Sequence, residues 1–358
     1  MLPTRALAAV VALVAGLSAS AQSLPIEDIQ LRGDRFRGLH YREMTEEQRA
    51  LLYNVVNSAR AVTNTTGNGP FNMLLRTPQV GELSQRLGNE LRFSSGLSGR
   101  LRELATLMAG RAWTSTYEWY AHARYALDEG IDASVVDAIA AHRVPDLKAM
   151  PLEDAMVWRV SDELLYTRRV TDATYKEALA VLGEQRLLST AMIAAYYEYV
   201  SMLLNVDRYP LPSDAPADAA AAARALVPLT ASELYRPPHS AVTPRTPING
   251  APSGRAALRA QLLLEIDSPD VRQAIVEAVV QHWKGSSRGE LPQPVPEDAM
   301  KALALATELL QTRLLSDAMF EAGRDEFDER GLVNLIVLMG ISNMRCAQQA
   351  LAGDACAL

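Results

Sequence analysis

Thiols are scarce in this chain: its only two cysteines, Cys346 and Cys356, stand near the C-terminus and form no Cys-x-x-Cys pair. That removes the thioredoxin-like and zinc-ribbon classes, which need closely spaced thiolates. Histidine is scarce too, at five residues, and no His-Glu-x-x-His pattern exists to hold a catalytic zinc. Walker loops, dinucleotide fingerprints and strand-turn-helix serine nucleophile motifs are absent. Basic residues are outnumbered, 35 against 42 acidic, and are scattered, so the net charge of −7 argues against nucleic acid or anionic membrane surfaces as partners. Long apolar runs are missing beyond Ala6 to Leu17, which is short for a bilayer. No alternating run of five or more residues marks a strand.

What remains is helical. Apolar residues recur at three- and four-residue spacing over Glu46–Arg60, Arg100–Ala112, Tyr117–Glu129, Ser134–His142, Glu153–Arg168, Asp172–Leu182 and Glu184–Leu204. The pattern predicts an all-α protein. Thr45 and Gln48 form a Thr-x-x-Gln capping box, Ser134 and Asp172 stand before later helices, and Gly130 supplies a C-terminal stop.

The N-terminus reads as a secretory signal over residues 1–21, with Arg5, a short apolar core and Ala19-Ser20-Ala21 before Gln22. A retained anchor is the alternative. A periplasmic or secreted location follows, and an oxidising compartment favours a Cys346–Cys356 bridge over a redox-active pair. Residues 22–212 form a first helical domain. Residues 213–254 read as a Pro/Ala-rich linker with one short helix, since nine of the 19 prolines fall between Pro210 and Pro252. Residues 255–358 read as a degenerate second repeat: VVDAIAAH from Val135 parallels IVEAVVQH from Ile275, and ELLYTRRVTDATY from Glu163 parallels ELLQTRLLSDAMF from Glu308. Chance likeness between helices is the competing reading. The alignment puts Leu258 and Leu262 where the first half has Glu118 and His122, leaving the second half without a site.

Proton-carrying groups concentrate in ELATLMAGRAWTSTYEWYAHARYALDEG, residues 103–130. Glu118 and His122, four apart, share one helix face. Glu103 lies on the preceding helix, whose buried face is marked by Leu101, Leu104, Leu107 and Met108, so a helical hairpin sets it beside His122. An acid, a base and an orienting carboxylate result. A purely structural hydrogen bond is the plainer reading, and the three groups also suit a divalent ion, although no second histidine accompanies them. No metal and no cofactor are expected. Trp119 and Tyr197, with Tyr196 and Tyr199, line a pocket or pack in the core. Asn72 and Arg76 are candidates for orienting an anionic substrate, Arg111 for a structural ion pair, and His142 and His282 for structural roles.

The same segments carry a family resemblance. ELATLMAGR followed by YEWYAHARYALDEG, with MTEEQRALLYNVVNSAR and GPFNMLLRTPQV before and GEQRLLSTAMIAAYYEYVSMLLNVDRYPLP after, resembles the carboxymuconolactone decarboxylase and alkyl hydroperoxidase D superfamily over roughly residues 40–212. The hydroperoxidase branch carries Cys-x-x-Cys with a histidine four residues beyond. Here Ser115 and Glu118 occupy those positions, so the thiol cycle has no nucleophile. The resemblance implies a helical bundle of the decarboxylase-like branch, acting without a cofactor on a small organic acid or lactone, and forming homo-oligomers as such units commonly do. A non-catalytic binding or scaffold module is the alternative, and peroxidase-like chemistry by ancestry a more distant one.

Overall fold

The computed structural model describes residues 25–57, 67–248, 264–285 and 294–358. The segment read as a signal, and Leu258 and Leu262, lie outside the described residues. Among those residues all regular elements are helices, the all-α class the pattern predicts. In chain order they are α1 (Glu46–Asn57), α2 (Phe71–Leu74), α3 (Pro78–Phe93), α4 (Gly99–Ala112), α5 (Thr116–Asp128), α6 (Ala133–Ala140) and α7 (Leu152–Asp162), which runs into a π turn over Glu163–Thr167. There follow α8 (Asp172–Asp207), α9 (Ala217–Arg224), α10 (Ala231–Leu234), α11 (Pro269–Trp283), α12 (Glu297–Thr312) and α13 (Asp317–Leu351).

Local signals explain many boundaries. The Thr45 box closes reciprocally, Gln48 N to Thr45 Oγ1 at 3.3 Å and Thr45 N to Gln48 Oε1 at 2.9 Å. Two caps sit slightly upstream of the residues expected: Asp132 accepts from Ser134 N, and Thr171 from Thr174 N. In both cases the side chain must precede the helix to reach its unpaired N–H groups. Helix α3 has no counterpart among the predicted helices, because Gly81 and Gly88 interrupt its pattern.

The centre of the molecule is the pairing of α8 with α13. Each is broken once, at Gly183 (φ 73°, ψ 168°) and at Asp328 (φ 55°, ψ −179°), so the sequence expectation of two helices meeting at Gly183 describes α8 well. Beyond the breaks both helices are apolar nearly all round and buried. The expectation that nothing after the N-terminus is long and apolar enough to cross a membrane is corrected here. By length and composition α8 qualifies, but its apolar window is wholly buried among the other helices.

The turns before these helices match each other. Thr167 Oγ1 donates to Glu163 O and Arg169 O, each at 2.8 Å, and Thr312 Oγ1 donates to Glu308 O and Leu314 O at 2.9 and 2.7 Å. Arg168 (φ 57°) and Arg313 (φ 65°) follow in the left-handed conformation, both buried. Arg168 stacks over Trp283 of the second half, and Arg313 over Trp113 of the first. Burial, with Arg168 and Arg313 nearby, holds His282 well below its ordinary pKa. Its neutral Nε2 therefore accepts from Arg168 Nη2 at 2.7 Å.

Among the described residues of the Pro/Ala-rich segment, 213–248, stand two short helices where one was expected, and this stretch is strapped to the bundle. Arg236 N donates to Tyr166 O and its guanidinium grips Asp162, Thr243 N donates to Asp172, and Arg245 N donates to Ala352 O. Arg111 takes part by bonding to the carbonyls of Ala140 and Val227, where a carboxylate partner was expected. Cys346 and Cys356 are joined by a disulfide that pins the C-terminal tail.

Candidate functional site

The site rests on the α4–α5 hairpin. Helix α4 ends in a Schellman motif, with Ser115 N donating to Gly110 O and Thr114 N to Arg111 O, both at 2.9 Å. Thr114 takes the left-handed position (φ 46°) that glycine usually fills. Ser115 is then the N-cap residue of α5, so the connection is as short as the motif allows. A methyl group at Gly110 would stand 3.2 Å from Glu118 Cβ, which shows how closely the two helices approach. Glu103 and His122 thereby meet across the hairpin.

His122 Nδ1 lies 2.5 Å from Glu103 Oε2, and His122 Nε2 lies 3.3 Å from Glu118 Oε2. All three side chains are buried. Glu103 Oε1 is held by Arg92 Nη2 at 3.1 Å and by Arg102 Nε at 3.4 Å. Burial pushes the Glu103 carboxyl up, but His122, Arg92 and Arg102 together outweigh it and bring it down to about 2. Glu103 is thus a carboxylate that only accepts, which fixes the proton of His122 on Nδ1. The Nε2 side faces Glu118 Oε2.

Glu118 and His122 open on a cavity of about 220 Å³. Arg92, Tyr125 and Tyr197 also line it, with the exposed Arg124 at its edge. Glu103 does not reach this space and acts through His122. Arg92 Nη1 donates to Tyr197 Oη at 2.5 Å, tying α3 to α8 across the floor. Attraction to Tyr197 and Glu103 outweighs burial and raises the Arg92 pKa, so it stays charged.

The other sequence candidates fall elsewhere. Trp119 is buried in the core and does not line the cavity, since one residue beyond Glu118 turns it about 100° round the helix. Asn72 and Arg76 lie apart from the cavity. Asn72 bonds to Phe36 O and Leu39 N, while Arg76 bonds to Asn72 and Glu329. Tyr196 and Tyr199 turn toward Ser84 of α3. Arg92, Arg102 and Arg124 are the charged groups that sequence reasoning missed. The signal available for Arg92 was the spacing of Val80, Leu87 and Leu91, with the small Ser84 between them on the same buried face, which makes α3 a helix and places its last turn against α4.

A carboxylate–imidazole array thus spans the α4–α5 hairpin. The family model of the carboxymuconolactone decarboxylase family matches residues 78–158, which run from α3 into α7. The match contains Arg92, Glu103, Glu118 and His122 and leaves out Tyr197. Comparison with curated proteins returns no match.

Proposed function

We propose that the protein is a cofactor-independent acid–base enzyme acting on a small organic acid or lactone. The observation that carries the reading is the Glu103–His122–Glu118 chain, fixed at its inner end by two arginines and open to a cavity at its outer end. His122 and Glu118 hold one mobile proton beside that cavity and exchange it with a carbon or oxygen of the substrate. Arg124 supplies a cation for the substrate carboxylate at the mouth, and Tyr125 and Tyr197 supply apolar walls. Glu103 orients the imidazole. The buried Ser115 at the position of the missing thiol agrees with proton transfer in place of peroxide reduction.

The second half is read, within the same proposal, as a degenerate copy without a site. The matched left-handed arginines and the helix breaks at Gly183 and Asp328 support it. Export is part of the reading, supported by the signal-like residues 1–21 and the Cys346–Cys356 bridge. Purified mature protein beginning at Gln22 is the expected product.

The deciding experiment is His122→Ala, assayed across a panel of small lactones and 2-oxo or β-oxo acids. Turnover should fall by about 10²- to 10⁴-fold while the protein stays folded. Unchanged turnover, or a loss explained by unfolding alone, would leave the fold as a binding module.

A further inference from the structure

Helix α5 runs along the His122 cavity. Tyr117, Tyr120, Ala121 and Arg124 line the cavity at i, i+3, i+4 and i+7, one stripe of the helix, and Glu118, His122 and Tyr125 line it from the adjoining stripe. With a rise of about 1.5 Å per residue, Arg124 stands about 3 Å beyond His122 along the axis and Tyr117 about 7.5 Å before it. Most of the lined length therefore lies on the Tyr117 side.

That end is closed by one aromatic ring with open space behind it. Tyr117 also lines a second cavity of about 400 Å³, and among the described residues that line the two it alone is shared. The ring is held in place. Tyr209 meets it edge to face with 4.7 Å between centroids, and the Arg32 guanidinium lies 5.9 Å from the Tyr117 centroid and 5.5 Å from that of Tyr209. Arg32 Nε and Tyr209 Oη both donate to Oδ1 of Asn68, at 3.0 and 3.2 Å, and Asn68 belongs to the wall of the His122 cavity. The partition is thus built into the structure around it.

We propose that Tyr117 sets the length of the ligand this site accepts. The proposal rests on the acid–base reading above and narrows it: the substrate is a short organic acid or lactone whose apolar body ends against the Tyr117 ring. The basis is burial. Each methylene removed from water tightens binding about fourfold, whereas a body longer than the reach to Tyr117 must turn out into water and gains nothing further. Beyond the ring, Leu204 and Leu211 stand in the wall of the larger cavity, so the limit comes from the partition and not from want of space.

Calorimetric titration of the whole protein with unbranched 2-oxo acids, from pyruvate to 2-oxododecanoate, tests it. In the wild type the gain per methylene should cease near 2-oxooctanoate. In Tyr117→Ala it should continue, so that 2-oxododecanoate binds at least about tenfold tighter than to the wild type. Tyr117→Phe keeps the ring and should keep the limit, and Leu211→Trp added to Tyr117→Ala should restore it by filling the far cavity. Tyr117→Leu should move the limit in the same direction as alanine, and decides the matter if the alanine variant does not fold. Because the readout is binding, a bound 2-oxo acid that never turns over defeats the acid–base reading and leaves the length limit standing. No binding of any member of the series, a wild-type gain that runs on through 2-oxododecanoate, or a limit unmoved by either smaller side chain would overturn the proposal.

Discussion

Asn343 Nδ2 donates to Glu198 Oε2 at 2.8 Å, joining the two central helices through residues 145 positions apart. The same carboxylate accepts from Trp113 Nε1 at 3.1 Å and Arg168 Nη1 at 3.4 Å. It is the buried counter-charge for Arg168 and Arg313. Burial, then Arg168, already push Arg313 down to about 9.

Glu198→Gln keeps the shape and removes that charge. Breaking a buried pair this way typically costs about 3–5 kcal/mol. Thermal unfolding should show a melting temperature lower by several degrees, and Asn343→Leu a smaller loss. An unchanged melting temperature for Glu198→Gln would mean the arginines are neutralised by something else.

Glu103→Gln tests the inner end of the proton chain. Because the folded Glu103 carboxyl sits near 2, below the ordinary 4.5, its stabilisation is complete above about 4.5 and drains away as the pH falls toward 2. Denaturant titrations should therefore show wild-type stability falling across that window, and a flatter profile for the variant. The imidazole loses its orienting carboxylate in the same variant, so turnover should fall even where the protein stays folded.

Asp207 has the opposite sign. Burial lifts its carboxyl to about 7, against the pull of the Phe36 and Asp34 N–H groups bonded to Oδ1. The folded state then holds a proton that the unfolded chain has lost, so stability declines as the pH rises from about 3.8 to about 7. Asp207→Asn retains the Oδ1 acceptor and should remove this decline, leaving the variant more stable than wild type at pH 8. A wild type equally stable at pH 5 and pH 8 would contradict it.

Asp328 occupies a backbone region that only glycine enters freely, as Gly183 does at the other break. Its Oδ1 accepts from Gly331 N at 2.8 Å, a cap worth only a few tenths of a kcal/mol more than glycine would give. Asp328→Gly should accordingly stabilise by about 1 kcal/mol, at the low end of what such strain stores. Gly183→Ala should destabilise. Paired melting curves of the two variants read both signs.

Glu118 and His122 were legible in the sequence, since four-residue spacing on an uninterrupted helix fixes a shared face. The hairpin partner Glu103 was legible from the apolar stripe around it. Helix α3 was not, because Gly81 reads locally as a breaker. Its real reason is tertiary: a methyl there would stand 2.6 Å from Leu51 Cδ2 and 2.8 Å from Leu74 O. Losing α3 from the prediction also lost Arg92. The Pro-rich segment misled in a similar way, since prolines mark missing helix bonds and say nothing of the arginine contacts that strap it down. Trp119 and Arg76 carried suitable chemistry, but their directions were set by helix phase and by Glu329, a residue 253 positions away.

The pairing of α8 with α13 also sets an order of events during synthesis. The apolar stretch of α8 beyond Gly183 leaves the ribosome well before its partner, which ends at Leu351. Until α13 arrives, the inner face of α8 has no cover, and exposed surface of that kind is what draws nascent chains into aggregates and onto chaperones. The core therefore closes only once α13 has been made, and truncations that remove α13 should fail through insolubility although they touch no residue near His122.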